Sequence, residues 1–436
     1  MMSSFSLATL PASAFWDLPG LPPSLPSLLA AAAAADGLAL VGGAVRDLLL
    51  HRVHNDPWQG VPDLDLVVEP APIAAGDPSV APAHRLARRL VQRLGPAGVL
   101  SYREHTAYGT AELELNLEEG PLLLDLASAR QEIYAAPGEN PSVAFGSLAD
   151  DLARRDFSIN AMALMVGDGS VTLLDPHGGQ ADLGCRQLRL LHGSSLQDDP
   201  TRIVRGARYA ARLGFALAPD SLDQWATTLA RWPWAWRPGD PPGLAPPALA
   251  TRLRMELDLL LEREPWRAGL EALQSWGALE LLDPDLQRDR HWPWRLRHAE
   301  RLGLPLLPAL LLAAGDPLAV AERLQLPHRH QQLLAQAGVL GQRLAVLDPG
   351  QAPALWAPSR WCDLLESPGV TAEAVALVVA AGGPWRRPLL RWWLRWRHLR
   401  SPRSAAALIE AGMTPGPQLG QRLRQLRAER LDAERR

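Results

Sequence analysis

The chain has 436 residues, of which 47% are apolar and 21% charged, so it is too long for one ordinary hydrophobic core and too apolar for a disordered protein. A net charge of −3 gives no support by itself for nucleic-acid binding, and the two cysteines, Cys185 and Cys362, lack partners at metal-ligand spacing, which argues against a structural zinc site or a disulfide framework. Because no apolar run reaches the length of a membrane span and no cationic segment precedes an N-terminal apolar stretch, we expect a cytoplasmic protein.

Between residues 37 and 182 the sequence alternates between strand and helix patterns. Short apolar or alternating runs, typical of strands, cover Leu38–Val41, Leu64–Val68, Ala111–Leu117 and Leu122–Leu126. Helical patterns cover Ala44–Leu50 and His84–Leu94. After about Asp198 the strand patterns stop and helical periodicity recurs, interrupted by the Trp- and Pro-rich segment 231–247, which cannot be helical throughout. The sequence therefore predicts an α/β N-terminal domain followed by an all-helical remainder.

A pair of glycines, Gly42 and Gly43, separates the first predicted strand from the first predicted helix in the motif LVGGAVRD. Glycines at such a turn let the backbone approach a phosphate, and the helix N-terminus adds unpaired N–H donors. A purely structural turn explains the pair as well, and its spacing is not that of a dinucleotide-binding GxGxxG motif. Taken alone, the motif indicates either a phosphate site or a tight turn.

Two carboxylates, Asp63 and Asp65, stand two residues apart at the start of the second predicted strand. Side chains at i and i+2 of a strand project from the same face. Their oxygens suit Mg²⁺, and a metal-binding pair of this kind is what phosphoryl or nucleotidyl transfer requires. The alternative is an ordinary polar strand end, but the Gly-Gly turn upstream favours a metal-binding pair over it.

Two arginine-containing motifs follow. In DDLARRDFSINA, whose second aspartate is Asp151, the arginines either reach triphosphate oxygens or belong to an ordinary helix cap. In DDPTRIVRGAR, which begins at Asp198, Arg202, Arg205 and Arg208 recur every three residues and form a stripe along one helix flank. A solvated charged face explains this stripe poorly, because the intervening apolar residues indicate a helix that packs.

These motifs, together with HTAYGTAEL, LLLDLASARQEIY and LLDPHGGQADL, occur in an order that resembles the class II tRNA nucleotidyltransferases of the DNA polymerase beta superfamily, which include the CCA-adding enzymes. The match is strong over residues 38–215 and looser beyond. The resemblance implies an α+β nucleotidyltransferase head with a polymerase beta-like sheet and helices, followed by an all-helical neck, body and tail. The expected division is a 1–36 extension, a 37–184 catalytic head, a 185–250 neck for nucleotide recognition, a 251–345 body and a 346–436 tRNA-binding tail.

The resemblance also implies a role for each motif. Asp63 and Asp65 would be catalytic and bind Mg²⁺, and the nucleotide would be bound by Gly43, Arg46, Arg155, Asp199, Arg202, Arg205 and Arg208. The implied substrates are CTP, ATP and the 3′ end of tRNA. Asp125 would lie where a third metal ligand could lie, although a buried, hydrogen-bonded aspartate explains it equally well.

The neck residues Asp199 and Arg202 have complementary hydrogen-bonding capacities. The aspartate only accepts hydrogen bonds and the arginine only donates them, so the pair suits cytosine and adenine, whose exocyclic amino group lies beside a ring-nitrogen acceptor. Uracil and guanine would place a carbonyl against the carboxylate and leave buried polar groups unpaired. The sequence departs from the family pattern at Asp198, where the family usually has glutamate.

Three alternatives stay open on sequence alone. The catalytic motifs are shared by enzymes that add CC only, by enzymes that add A only and by poly(A) polymerases, and a catalytically silent RNA-binding protein would be a different class again. The segment from 381 to 436 contains 13 arginines and 4 acidic residues. Its arginines suit contact with tRNA phosphates, whereas Trp392, Trp393 and Trp396 could simply be helix core with arginine outside.

Overall fold

The computed structural model describes residues 8–11, 22, 24–33, 36–58, 60, 63–70, 80–118, 120–166, 170–347 and 356–434. These residues fall into two compact units, and the boundary lies between Trp234 and Ala235, inside the segment predicted as the neck. The predicted 1–36 extension lies mostly outside the described residues, and the division into head, neck, body and tail stays a prediction. None of the described helices is long and apolar enough to cross a membrane.

The first unit contains twelve described strands. They are β1 (Ala8–Pro11), β2 (Gly37–Val41), β3 (Asp63–Glu69), β4 (Val99–His105), β5 (Thr110–Leu117), β6 (Gly120–Ser128), β7 (Arg130–Ile133), β8 (Ser142–Phe145), β9 (Ala163–Val166), β10 (Ser170–Leu174), β11 (Gln187–Leu188) and β12 (Ala216–Leu217). Eight of them form one sheet in the order β1-β10-β9-β2-β3-β6-β5-β4. Among these described strands, β3 and β6 are the one parallel pair of the sheet. Strands β7 and β8 form a separate hairpin, and β11 pairs with β12.

The described helices of the first unit begin with one N-terminal to the Gly-Gly turn. They are α1 (Leu25–Ala33), α2 (Gly43–His54), α3 (Pro82–Gly98), α4 (Leu148–Ala153), α5 (Gly179–Cys185), α6 (Ser195–Asp198), α7 (Thr201–Leu213) and α8 (Pro219–Arg231). Helix α4 begins with a capping box in which Ser147 and Asp150 exchange hydrogen bonds with each other's backbone N–H. Helix α3 is strongly amphipathic and buries Leu86 and Leu90 completely.

One face of the main sheet is apolar, and the other carries carboxylates next to a smaller apolar cluster that includes Ala39, Val41 and Val67. In β5, Ala111, Leu113 and Leu115 are at most 1% exposed, and the residues between them are glutamates. Strands β3 and β6 repeat this alternation. Because successive side chains of a strand point to opposite faces, the apolar set forms the core on one side. The carboxylates are therefore left together on the other side, where the candidate site lies.

The second unit is helical throughout its described elements. They are α9 (Thr251–Arg263), α10 (Trp266–Ser275), α11 (Pro284–Arg288), α12 (Trp292–Arg301), α13 (Leu306–Leu311), α14 (Pro317–Arg323), α15 (His328–Ala345), α16 (Pro358–Leu365), α17 (Ala372–Ala381), α18 (Arg386–Leu394), α19 (Ala405–Glu410) and α20 (Pro417–Ala433), with short 3₁₀ turns between some of them. Trp392 and Trp396 are buried in one core cluster with Trp361 and Trp385, so the core interpretation is right for these two tryptophans. The α+β head and the helical remainder confirm the predicted fold class.

Candidate active site

The Gly-Gly turn at the end of β2 lies directly against two of the other motifs. Gly42 has φ +70°, and a Cβ added to it would lie 3.0 Å from Asp65 Oδ2 and 3.3 Å from Arg155 Nη1. Glycine is therefore required twice, by the left-handed backbone and by the close approach. The turn, the strand carboxylate and the arginine motif, which are far apart in sequence, meet at one point.

Three carboxylates lie in one row across neighbouring strands. Asp65 on β3 is the register partner of Asp125 on β6, and Asp125 is in turn the partner of Glu112 on β5. Two positions before Asp65, Asp63 begins β3, although its side chain lies outside what the structure describes. Glu112 is a site residue that the sequence patterns did not single out, because it occupies an ordinary polar position of an alternating strand.

A cavity of about 310 Å³ opens on this row of carboxylates. Its lining includes Asp65, Asp125, Glu112, Arg154 and Arg155, together with backbone or side-chain atoms of β2, β3, β5 and β6. Among described side chains, no three His, Cys, Asp or Glu residues are grouped so that they could hold a metal ion. Asp65 and Asp125 on adjacent strands, with Asp63 at the start of β3, nevertheless offer the carboxylate oxygens that Mg²⁺ prefers.

The two arginines of the DDLARRDFSINA motif, Arg154 and Arg155, are held by one buried carboxylate. Asp151 on α4 is fully buried and accepts from Arg154 at 2.7 Å and from Arg155 at 2.9 Å. Arg154 also pairs with Glu132 of β7 at 2.9 Å, and Arg155 Nη1 lies 3.4 Å from the carbonyl of Asn160. A buried carboxylate shared by two guanidinium groups fixes their orientation toward the cavity. Sequence reasoning missed Asp151 because it considered this motif for its arginines alone.

Arg46 links helix α2 to Asn160 of the DDLARRDFSINA motif. It is only 3% exposed, pairs with Asp47 through Nε at 2.7 Å, and donates from Nη1 to Asn160 Oδ1 at 2.8 Å. Its guanidinium also lies 5.5 Å from the ring centre of Tyr209 on α7. This geometry supports the site from within, and the contact between Arg46 and a triphosphate stays a prediction.

Of the predicted recognition residues, Asp199 lies just before α7 and Arg202 lies in its first turn. Asp199 and Arg202 are 6% and 5% exposed. Asp199 Oδ1 accepts from the backbone N–H and the hydroxyl of Thr201, at 3.1 and 2.6 Å, and so anchors the start of the helix. Arg202 donates from Nη2 to the carbonyl of Arg154 at 2.8 Å. The structure thus joins the predicted recognition helix to a residue that lines the cavity.

Arg205, one turn further along α7, is paired with a buried carboxylate. Its Nε donates to Asp156 Oδ2 at 2.8 Å, and Asp156 Oδ1 accepts from Phe157 N and from Asn160 Nδ2. Burial opposes ionisation of Asp156, but Arg205 and these hydrogen bonds outweigh it, so the pKa of this carboxyl lies below its ordinary value. Arg208 follows on the same flank of the helix and is partly buried.

Replacing Gly42 by alanine should impair the site without unfolding the protein. Gly42 has φ +70° and ψ −138°, a backbone region that is essentially restricted to glycine, so alanine there costs of order 1–3 kcal/mol, and the new Cβ must displace Asp65 or Arg155. We expect nucleotide turnover to fall by roughly 10- to 100-fold, because small misplacements of catalytic groups have effects of that size. Gly95→Ala, at φ +66° and ψ −177° where an added Cβ meets no heavy atom, is the matched control for backbone strain alone. Equal losses in both variants would mean that the close approach has no role.

Comparison with known proteins identifies the head and several relatives. A family model described as the poly A polymerase head domain matches residues 38–189. The chain is 40% identical over 309 residues to a CC-adding tRNA nucleotidyltransferase of Deinococcus radiodurans, covering 69% of this chain and 70% of that one. It is 36% identical over 244 residues to an A-adding tRNA nucleotidyltransferase of Aquifex aeolicus, covering 55% of this chain but only 25% of that one.

Solved structures show the same fold. A Thermotoga maritima CCA-adding enzyme complexed with tRNA has a TM-score of 0.66 and 22% identity, covering 99% of this chain and 96% of that one. A CCA-adding enzyme in an apo form has a TM-score of 0.68 and 23% identity, covering 95% and 93%.

The mixed sheet, its row of carboxylates beside a glycine turn and the adjoining arginine motifs define a nucleotidyltransferase head. The chain belongs to the class II tRNA nucleotidyltransferases. The expected family is therefore confirmed.

Proposed function

We propose that this protein adds C and A to the 3′ end of tRNA, using CTP, ATP and Mg²⁺ without a nucleic-acid template, and that it builds the CCA sequence in full. The observation that carries the proposal is the convergence at Gly42 of Asp65 and Arg155, joined through Arg154 to Arg202 on the neck helix. A metal site, a phosphate-binding turn and a base-reading helix are the parts that such a transfer needs.

Asp63 and Asp65 are the residues we assign to the metal, with Asp125 beside them on the adjacent strand. Bound Mg²⁺ would supply activation of the attacking 3′ hydroxyl and charge neutralisation on the leaving pyrophosphate. The chain's own groups have the task of holding the nucleotide in line. Arg155, fixed by Asp151, faces the cavity as a donor for phosphate oxygens. The backbone N–H groups at Gly43 and the start of α2, beside the Asp65 carboxylate, are the donors we assign to the triphosphate.

Base selection is assigned to Asp199 and Arg202. Asp199 Oδ1 accepts two hydrogen bonds from Thr201, and we assign the second oxygen, Oδ2, to the amino group of cytosine or adenine. Arg202 is assigned to the adjacent ring nitrogen. Arg205 and Arg208 extend the same flank, with Arg205 held by Asp156 as a support for the helix.

A CC-adding activity is the second candidate. The relative of which this chain covers 70%, at 40% identity, is a CC-adding enzyme, whereas the Aquifex relative is A-adding and a Leptothrix cholodnii relative, 38% identical over 255 residues, is a multifunctional CCA protein. Because this chain matches relatives of all three kinds, its carboxylates do not choose among the three activities.

Contact with the body of tRNA is assigned to the predicted tail. Within the second unit, Arg397 lies 3.7 Å from the ring centre of Trp393, and Arg360 lies 3.8 Å from that of Trp356. Such stacks hold a guanidinium at a surface while leaving its N–H donors available to phosphate. Because phosphate neutralisation releases counterions, tRNA affinity should fall steeply with salt.

The number and kind of nucleotides added can be measured on three tRNA substrates, ending in the discriminator base, in C and in CC. A CCA-adding enzyme extends all three to CCA when CTP and ATP are both present. A CC-adding enzyme stops at CC and leaves the third substrate unchanged, and an A-adding enzyme extends only the third. Long A tracts on unrelated RNA would instead indicate a poly(A) polymerase. Absence of any CMP or AMP incorporation would refute the proposed function.

A further inference from the structure

A chain of hydrogen-bonding groups leads away from Arg202 on the side opposite its contact with Arg154. Arg202 Nη1 lies 3.5 Å from Nε2 of His192 and donates to Ser195 Oγ at 3.0 Å. His192 Nδ1 lies 3.1 Å from Ser194 Oγ, and the Ser194 hydroxyl donates to Asp198 Oδ2 at 2.7 Å. This series of hydrogen bonds ends at Asp198, where the family resemblance leads one to expect glutamate.

Only one protonation state of His192 satisfies every member of this chain. Arginine has donors and no acceptor, so Nε2 must be the acceptor and carry no proton. Nδ1 then carries the proton and donates to Ser194, whose own proton goes to Asp198. A doubly protonated imidazole would place an N–H and a positive charge against the guanidinium of Arg202.

We propose that neutral His192, oriented by Ser194 and Asp198, positions Arg202 for base recognition, so that protonation of His192 repels the guanidinium of Arg202 and weakens both nucleotide binding and selection. The inference rests on the proposed role of Arg202 in reading the base. It makes His192 a positioning residue, which acts on the nucleotide only through Arg202. It also gives Asp198 a task that its shorter side chain can perform, because Ser194 bridges the remaining distance.

Several features fix His192 in this position although the residue as a whole is exposed. Gln224 on α8 donates from Nε2 to the carbonyls of His192 and Gly193, at 3.0 and 2.8 Å, and so anchors the backbone. The charged or titratable groups that act on the imidazole are Arg202 on α7, Asp198 on α6 and His177. These groups come from separate elements of the first unit.

The sign of the pH dependence follows from these neighbours. Partial burial, then Arg202, lowers the pKa of His192, with a smaller contribution from His177, and Asp198 opposes them without reversing the shift. The pKa therefore lies below the ordinary histidine value, and the neutral form prevails at neutral pH. Function should be retained at neutral and higher pH and be lost as the pH falls through the lowered pKa.

Two substitutions with opposite consequences test the proposal. His192→Gln places an acceptor near the position of Nε2 that does not titrate, and His192→Lys places a permanent cation there. The pH profile of kcat/KM for CTP and the preference for CTP over UTP would be measured with tRNA lacking its 3′ CCA. For the Gln variant we expect activity within about threefold of wild type at pH 8 and no histidine-dependent loss at low pH. For the Lys variant we expect at least a roughly tenfold loss of CTP preference at every pH, equivalent to one hydrogen bond to a charged group.

His177→Gln is the matched control, because it removes the neighbouring histidine without touching Arg202. It should keep the loss at low pH with at most a small shift in its midpoint. If the low-pH loss disappears in His177→Gln and persists in His192→Gln, or if the Lys variant behaves as wild type, the assignment to His192 is wrong.

Calorimetric titration of CTP into each variant at pH 5.5 and pH 8 separates this inference from the proposed function. CTP binding does not require transfer, so a wild-type protein that binds CTP with the expected pH dependence but adds no nucleotide would refute the function and retain the positioning role. Transfer by the wild type, together with identical CTP binding by all variants, would retain the proposed function and refute the positioning role of His192.

Discussion

An Asp65→Asn variant should incorporate CMP and AMP at least roughly 10³-fold more slowly than the wild type. The substituted amide keeps the size of the side chain beside Gly42 but removes the charge that a divalent cation requires. A bound metal ion contributes several kcal/mol of charge stabilisation to the transition state, and each 1.36 kcal/mol corresponds to a tenfold change in rate. Single-turnover incorporation from labelled CTP, with tRNA ending at the discriminator base, measures the effect. Asp63→Ala should give a similar loss.

The same variants should bind tRNA within a few-fold of wild type, since the aspartates contact the metal and not the body of the tRNA. Asp223→Asn, an exposed position on α8 of the same unit, is the control for loss of one carboxylate. A collapse of tRNA binding or of the folded circular dichroism spectrum would make the aspartates folding residues. Activity within tenfold of wild type would remove them from the metal site.

An Asp199→Asn variant should lose most of its discrimination between CTP and UTP. Thr201 donates two hydrogen bonds to Oδ1, so the amide oxygen of asparagine will take that position and the amide NH₂ will take the position of Oδ2. A donor then faces the base where an acceptor stood, which repels the amino group of cytosine and matches the O4 carbonyl of uracil. The preference for CTP should fall by roughly 10- to 100-fold, corresponding to about 1–3 kcal/mol for one buried unpaired group.

The relative kcat/KM for CTP and UTP measures this change, with ATP and GTP as the second pair. Uracil still presents its N3–H to Arg202, so UTP should gain less than CTP loses. A variant that loses activity equally with all four nucleotides would assign Asp199 to the helix start alone. Unchanged preference would contradict its role in base reading.

Strands whose side chains alternate between core and solvent were predictable, because burial on one face imposes period two. The predicted Ala111–Leu117 and Leu122–Leu126 correspond to β5 and β6, each within about two residues at its ends. The pairing order was not predictable, since the parallel neighbours β3 and β6 are separated by two intervening strands. The β7–β8 hairpin was missed as well, because its strands are short and largely exposed and so lack an apolar face.

The site was predictable as a set of motifs but not as a set of contacts. Asp65 and Arg155 converge on the Gly-Gly turn, and Gly42 is the glycine at which an added Cβ would meet both. The acids that hold the arginines were not foreseen. Asp151 and Asp156 lie in the same motif as Arg154 and Arg155, yet their partners depend on which surfaces the fold buries together. His192 carried no motif signal, because its significance comes only from its distance to Arg202.

The central claim, metal-dependent nucleotide addition at the carboxylate row, is tested most directly by metal removal in a single-turnover assay. The purified protein is incubated with tRNA ending at the discriminator base and labelled CTP, first with chelator and then with Mg²⁺ restored in excess. We predict no extension with chelator, restored addition of C with Mg²⁺, and no restoration in Asp65→Asn. Extension that persists without a divalent cation, or that Mg²⁺ restores equally in Asp65→Asn, would contradict the assignment.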